Sequence, residues 1–193
     1  MKYILVTLFL CAANYTQIYS KNNEELNYLE ILKEIRFTYY SAVENEDKIE
    51  ELEKIILNSF SDQQNNYPPL ILAYWGGVEA LKAKHAFWPF TKLTLLNKSM
   101  EIFNLALLES PDNLEIRFLR FTILHYIPSI LGYGDERNDD IKKITELINR
   151  NEKVSYDDLI QKGILEFMID SGRLDETQKL FYNKKLAMFK NNE

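Results

Sequence analysis

From residue 24 onward, apolar residues return at every third or fourth position, and no stretch alternates apolar with polar at a period of two. Side chains at that spacing share one face of an α-helix, so the chain is predicted to be all-α. Leu26, Leu29, Leu32, Ile35, Tyr39 and Val43 form a first stripe, and Ile49, Leu52, Ile55, Ile56 and Phe60 form a second. The polar stretch 61–69 ends in two prolines that open a third helix, running to about Phe87. Pro89 interrupts, and a fourth helix runs to about Glu109. The turn "SPDN" at 110–113 starts a fifth, which ends near Pro128. "GYGDE" at 132–136 leads into a sixth. Ser155 and Asp158 have the spacing of a capping box for a seventh. Gly172 is placed to terminate it, ahead of an eighth.

Taken in pairs, helical hairpins begin near residues 24, 68, 113 and 155, about 42 to 45 residues apart. That is the period of two-helix solenoid repeats. The expected architecture is seven or eight helices in antiparallel hairpins, stacked as a short α–α superhelix in a single domain, 21–193. A non-repetitive helical bundle is the alternative.

The first twenty residues stand apart. "MKYILVTLFLCAANYTQIYS" has a basic Lys2, an apolar run from Tyr3 to Ala13, and a polar stretch ending in a small residue. This is the plan of a signal peptide, and the run is shorter than the roughly 20 residues a membrane span needs. Cleavage is expected after Ala13 or Ser20. Leu10 stands before Cys11, where a lipobox has a small residue, so lipidation is not expected. The mature chain would then hold no cysteine, which removes disulfides, thiolate nucleophiles and cysteine-based zinc sites together. Without Lys2 there remain 22 basic against 29 acidic residues, a net charge of −7. A chain this acidic lacks the footprint of a nucleic-acid binder. The cluster "ENEDKIEELEK" at 44–54 reads as a solvated helix face.

Two helices carry more information. The third aligns Ala73, Gly76, Gly77, Ala80 and Ala83 along one strip. Glycine inside a helix costs about 1 kcal/mol, and close approach of a neighbouring helix gives that cost a reason. The fifth is apolar on two sides, which places it inside the array. Arg117 and Arg120 share the strip between its two apolar faces. Either they pair with acids on adjacent helices, for which Glu79, Glu101, Glu109 and Glu115 are candidates, or they receive an anionic ligand.

Catalytic spacing is absent. His125 falls on the Leu114–Phe118–Phe121 face and His85 just before "AFWPF". Neither has an acid three residues before it, as a helical di-metal site requires. No zincin, phosphate-loop, dinucleotide or nucleophile-elbow motif appears. The expected protein is therefore not an enzyme and needs no cofactor or metal. It is expected to be an interaction module gripping a peptide or protein partner, with Trp75, Trp88, Tyr74, Tyr133, Arg117 and Arg120 as the residue types that anchor interfaces. The alternative is a pocket between hairpins, around His85, Trp88, Arg117 and Arg120, that takes an anionic small molecule as carrier or enzyme.

In the second hairpin, Phe103, Ala106 and Pro111 stand at the offsets of the second-helix phenylalanine, alanine and terminal proline of a tetratricopeptide repeat, which this segment resembles. Its first helix departs from that pattern: Ala83, Ala86, Phe87 and Phe90 occupy the tryptophan, leucine, glycine and tyrosine positions. The run "AYWGGVEALKAKHAFWPFTKL…NLALLESPDNLEIRFLRF…IPSILGYGDERNDD", about 73–140, also resembles a group of uncharacterised exported proteins of Bacteroidota. That resemblance implies a helical-repeat-like fold and a Gram-negative cell envelope, and it carries no activity. The C-terminal β domain of that phylum's dedicated secretion cargo has no counterpart here, so the periplasm is expected before release from the cell.

Overall fold

The computed structural model describes residues 2–60, 64–150 and 158–190, with side chains described at 23–60, 64, 66–150 and 160–189. Among them lie eight α-helices, two short 3-10 turns and no strand: α1 (Lys2–Glu44), α2 (Asp47–Phe60), α3 (Pro69–His85), α4 (Pro89–Glu109), α5 (Leu114–Tyr126), α6 (Gly134–Asn149), α7 (Asp158–Asp170) and α8 (Glu176–Lys190). The protein is all-α, and its helices pack in consecutive pairs, α1 with α2, α3 with α4, α5 with α6 and α7 with α8. These are the four expected hairpins, the arrangement of a helical-repeat fold. The chain separates into two compact units, Met1–Asn66 and Tyr67–Glu193.

In the first unit, Leu32, Ile35, Tyr39 and Ala42 of α1 bury with Ile49, Leu52 and Ile56 of α2. Leu26 and Leu29, expected to continue that stripe, remain exposed. The segment expected from sequence to be a leader falls in the first half of α1, where side chains lie outside the described residues. No helix among the described residues is long and apolar enough to cross a membrane. The acidic face of α2 is solvated as expected, with Glu50 and Glu51 held by Lys54 and Lys48 on the same helix.

In the second unit, prolines and capping side chains set the helix ends. Pro69 and Pro89 occupy first positions of α3 and α4, where a missing N–H is harmless. The Asn113 side chain accepts from Ile116 N at 3.1 Å and caps α5. Asp175 and Gln178 exchange reciprocal bonds of 2.8 and 2.9 Å, a capping box that starts α8. Gly172 takes φ +65° after α7, the left-handed conformation that a helix-terminating glycine supplies. The capping residue read for α7, Ser155, lies outside the described residues.

The small strip of α3 does what its composition suggests. Gly76 faces α4 so closely that a Cβ there would sit 3.1 Å from the Phe103 ring and 3.3 Å from Ile102. Ser99 of α4 donates to the Gly76 carbonyl at 2.7 Å across the same contact. Gly76→Leu is expected to destabilise by about 1–3 kcal/mol or more through overpacking, as read by urea denaturation. α5 lies inside this unit. It touches α3, α4 and α6, while Leu114, Phe118 and Phe121 enter a core with Ile141, Ile144, Ile148, Ile164, Leu165, Met168, Leu174 and Tyr182.

Candidate functional site

Every residue of α5 from Leu114 to Phe121 is buried, both arginines included. Arg120 forks onto Asp140, with Nε donating to Oδ2 at 2.7 Å and Nη2 to Oδ1 at 2.8 Å. Its Nη1 donates to Asn104 of α4 at 2.9 Å. Arg117 donates from Nη1 to Asp139 at 2.7 Å and to Asp140 at 3.0 Å, and from Nε to the Pro111 carbonyl at 3.0 Å. Asp140 is fully buried. Burial pushes its carboxyl above the ordinary range, and the hydrogen bonds and charges of Arg120 and Arg117 pull it part of the way back. The two arginines are thus paired structural groups that bolt α5 to α6.

The acids differ from the four expected ones. Glu79 takes Lys98 at 2.9 Å, and Glu115 accepts from the Tyr74 hydroxyl at 2.6 Å. The real partners, Asp139 and Asp140, come from α6 because α5 and α6 form an antiparallel hairpin. Its connection is centred near residue 130, so position 120 lies opposite position 140. Outside that seam, Asp112 pairs with Lys143 and Arg150 at 2.8 Å each and closes the far end of the same hairpin.

The other proposed residues divide. Trp75 is buried in the core, edge-on to Tyr67, with Lys82 5.9 Å over its ring, and offers no surface to a partner. Its indole Nε1 is buried without a hydrogen-bond acceptor. Tyr74 is likewise enclosed. His85 is half-buried in the last turn of α3. Trp88 is 68% exposed at the start of α4. From Trp88 to Asn104, the residue of α4 that meets Arg120, the helix rises by roughly 24 Å, at about 1.5 Å per residue. His85 and Trp88 therefore belong to one end of the unit, and the structure does not bring them together with Arg117 and Arg120.

That end carries an unexpected surface. Phe87, Trp88, Phe90 and Leu93 are exposed around the α3–α4 connection, Phe90 by 86%. Tyr126, Ile130 and Leu131 are exposed around the α5–α6 connection, Ile130 by 91%. Alternating helix direction puts both connections on the same side. The Tyr133 hydroxyl, just before α6, donates to Asn97 of α4 at 2.8 Å and ties them together. Asn97 lies only about 10 Å along α4 from Phe90.

Beneath this surface, the last turn of α5 collects cations. Arg173, from the α7–α8 turn, donates from Nε to His125 Nδ1 at 2.9 Å and from Nη2 to the His125 carbonyl at 2.8 Å. Arg137 of α6 reaches the Leu124 carbonyl with Nη1 at 3.4 Å. The His125 ring stacks edge-on to Phe167 and Tyr126. Burial, then the charges of Arg173 and Arg137, hold its pKa below the usual imidazole range. Neither Arg137 nor Arg173 was singled out from sequence, since nothing local marks them.

Among the described residues, no group of three or more His, Cys, Asp or Glu is arranged to hold a metal ion. Fold and site together define an all-α protein of packed hairpins, with a sealed ionic seam in its middle and an apolar surface at one end. Compared with protein-family models, with curated proteins and with solved structures, the chain matches none of them.

Proposed function

We propose that this protein is an exported helical-repeat interaction module of a Gram-negative cell envelope, resident in the periplasm, that binds a peptide or protein partner through the apolar end of its second unit. One observation carries the reading: seven large apolar side chains, from Phe87 to Leu131, stand exposed around two neighbouring helix connections. Scattered surface apolar residues need no explanation, but a group rich in Trp, Phe and Tyr gathered at two connections on one side has the composition of an interface core. Burying it against a partner would stabilise a complex by the same transfer of apolar area from water that holds the fold together. Export and periplasmic residence rest on the leader and on the resemblance to exported Bacteroidota proteins.

Site-specific photo-crosslinking tests the surface. A photoreactive residue placed at Trp88 or Ile130, in protein expressed in its own envelope, is expected to give an adduct of one discrete mass. The same residue at Leu108, which is exposed at the opposite end of α4, is expected to give none. Equal adducts at Leu108, or none at the apolar end, would contradict the assignment. Intact-mass measurement of the exported chain tests the leader: loss of the residues up to Ala13 or Ser20 is expected, and retention of Met1 would refute export with cleavage.

A further inference from the structure

We propose that Arg137 and Arg173, gathered at the C-terminal end of α5 beside His125, form a binding site for an oxyanion, a carboxylate or phosphate group presented by a ligand. The inference goes beyond the partner surface and stands without it. It begins with charge balance inside the second unit. Arg117 and Arg120 meet Asp139 and Asp140, and Glu79 meets Lys98. Arg137, only 9% exposed, meets no carboxylate among the described residues, and neither does Arg173. A guanidinium taken out of water without a counter-charge is among the most costly arrangements in a protein.

Ordinary helix capping accounts for part of this. Cations belong at a helix C-terminus, and Arg173 caps the His125 carbonyl while Arg137 joins the Ile127 N–H on the Leu124 carbonyl. The rest of the donors are left over. Arg137 Nε is buried with no acceptor, and its contact to Leu124 is long. Arg173 is fixed by its two bonds to His125, close enough to Arg137 for the two charges to oppose each other. Because Arg173 donates into Nδ1, the neutral ring carries its proton on Nε2. Within the chain, the nearest acid in sequence is Glu136. It makes no ion pair with Arg137, and its own Oε2 is buried without a hydrogen bond. An external oxyanion resolves the arrangement. It would accept from both planar forks, replace a repulsion with two charge-assisted bonds, and enter from the exposed Arg173 side.

The chain has only two histidines, so His125 is a clean reporter in ring-detected NMR, with His85→Asn fixing the assignment. Inorganic phosphate and sodium acetate are titrated into the full-length protein at constant ionic strength, with chloride as the reference. Saturable movement of the His125 resonances is expected. Saturation by phosphate alone identifies a phosphate-bearing ligand, and saturation by acetate as well identifies a carboxylate. Arg173→Gln, an exposed position, is expected to weaken the response about tenfold or more. Arg137→Met is expected to abolish it while leaving the thermal midpoint unchanged or higher, because an unpaired buried charge has been removed. A non-saturating shift equal to that with chloride, or full saturation in both variants, would overturn the proposal. So would a large drop in midpoint for Arg137→Met, which would show that the cation is already paired.

Discussion

The two ends of α5 hold the same kind of side chain in opposite circumstances. Near its start, Arg117 and Arg120 are enclosed by Asp139, Asp140, Asn104 and the Pro111 carbonyl. Near its end, Arg137 and Arg173 have two helix carbonyls and an imidazole nitrogen for company. The first pair is committed to carboxylates that hold two helices together. The second pair has donors left. An arginine in an apolar helix therefore says little about function until its counter-charges are counted, and Arg117 and Arg120 already have theirs within the fold.

The largest expected effect comes from breaking the saturated end. Arg120→Ala leaves Asp140 buried with only Arg117 beside it and should cost about 3–5 kcal/mol in urea denaturation. Arg120→Lys should recover only part of this, since a single ammonium cannot reproduce the two-point fork on Asp140. The deficit should depend on pH. In Arg120→Ala the main influence lowering the Asp140 pKa is gone, and burial raises it further. A carboxyl with a folded pKa above its unfolded value costs stability while it is ionised in the fold. As pH falls through the raised pKa toward the unfolded value near 4, the folded state takes the proton first. The gap between variant and wild type should accordingly narrow as pH falls from neutrality toward the unfolded carboxyl value near 4. A constant gap would mean that Asp140 is rehydrated in the variant.

His125 provides a weaker pH signal of related origin at the other end. Its folded pKa lies below the ordinary value because of burial, Arg173 and Arg137. Its neutral form is therefore favoured by the fold, and its contribution is fully present above about pH 6.5. That contribution is lost as pH falls from there toward the lowered folded pKa, because the unfolded chain takes the proton first. His125→Asn should flatten this small slope without affecting the Asp140 window. Smallest of all, Trp88→Ser with Phe90→Ser should leave stability nearly untouched, since both rings already face water. A marked loss there would mean that the aromatic end is structural and would remove its claim as an interface.

Much of this fold was legible because helices announce themselves locally. Period, prolines and Gly172 placed the helices, with most ends shifted by only a few residues. The Gly76 strip foretold the close α3–α4 approach. What failed was pairing across distance. The acids that sequence suggests for Arg117 and Arg120 lie on α3, α4 and the start of α5, whereas folding 114–149 about its connection sets Asp140 opposite Arg120. The two tryptophans look alike as interface residue types, yet α3 carries no charged residue from Pro69 to Val78. A helix apolar all round is buried, which consigns Trp75 to the core and leaves Trp88, at a helix start between exposed phenylalanines, on the surface. The Arg173 contact to His125 spans 48 residues. Only tertiary packing reveals it.

Urea denaturation of two double variants tests the account most directly: Arg117→Ala with Arg120→Ala, and Arg137→Met with Arg173→Gln. The first should lose at least about 3 kcal/mol, because a buried carboxylate is stranded. The second should unfold at the wild-type midpoint or above it. A first variant as stable as wild type, beside a second that is strongly destabilised, would reverse the roles assigned to the two ends of α5 and contradict the account.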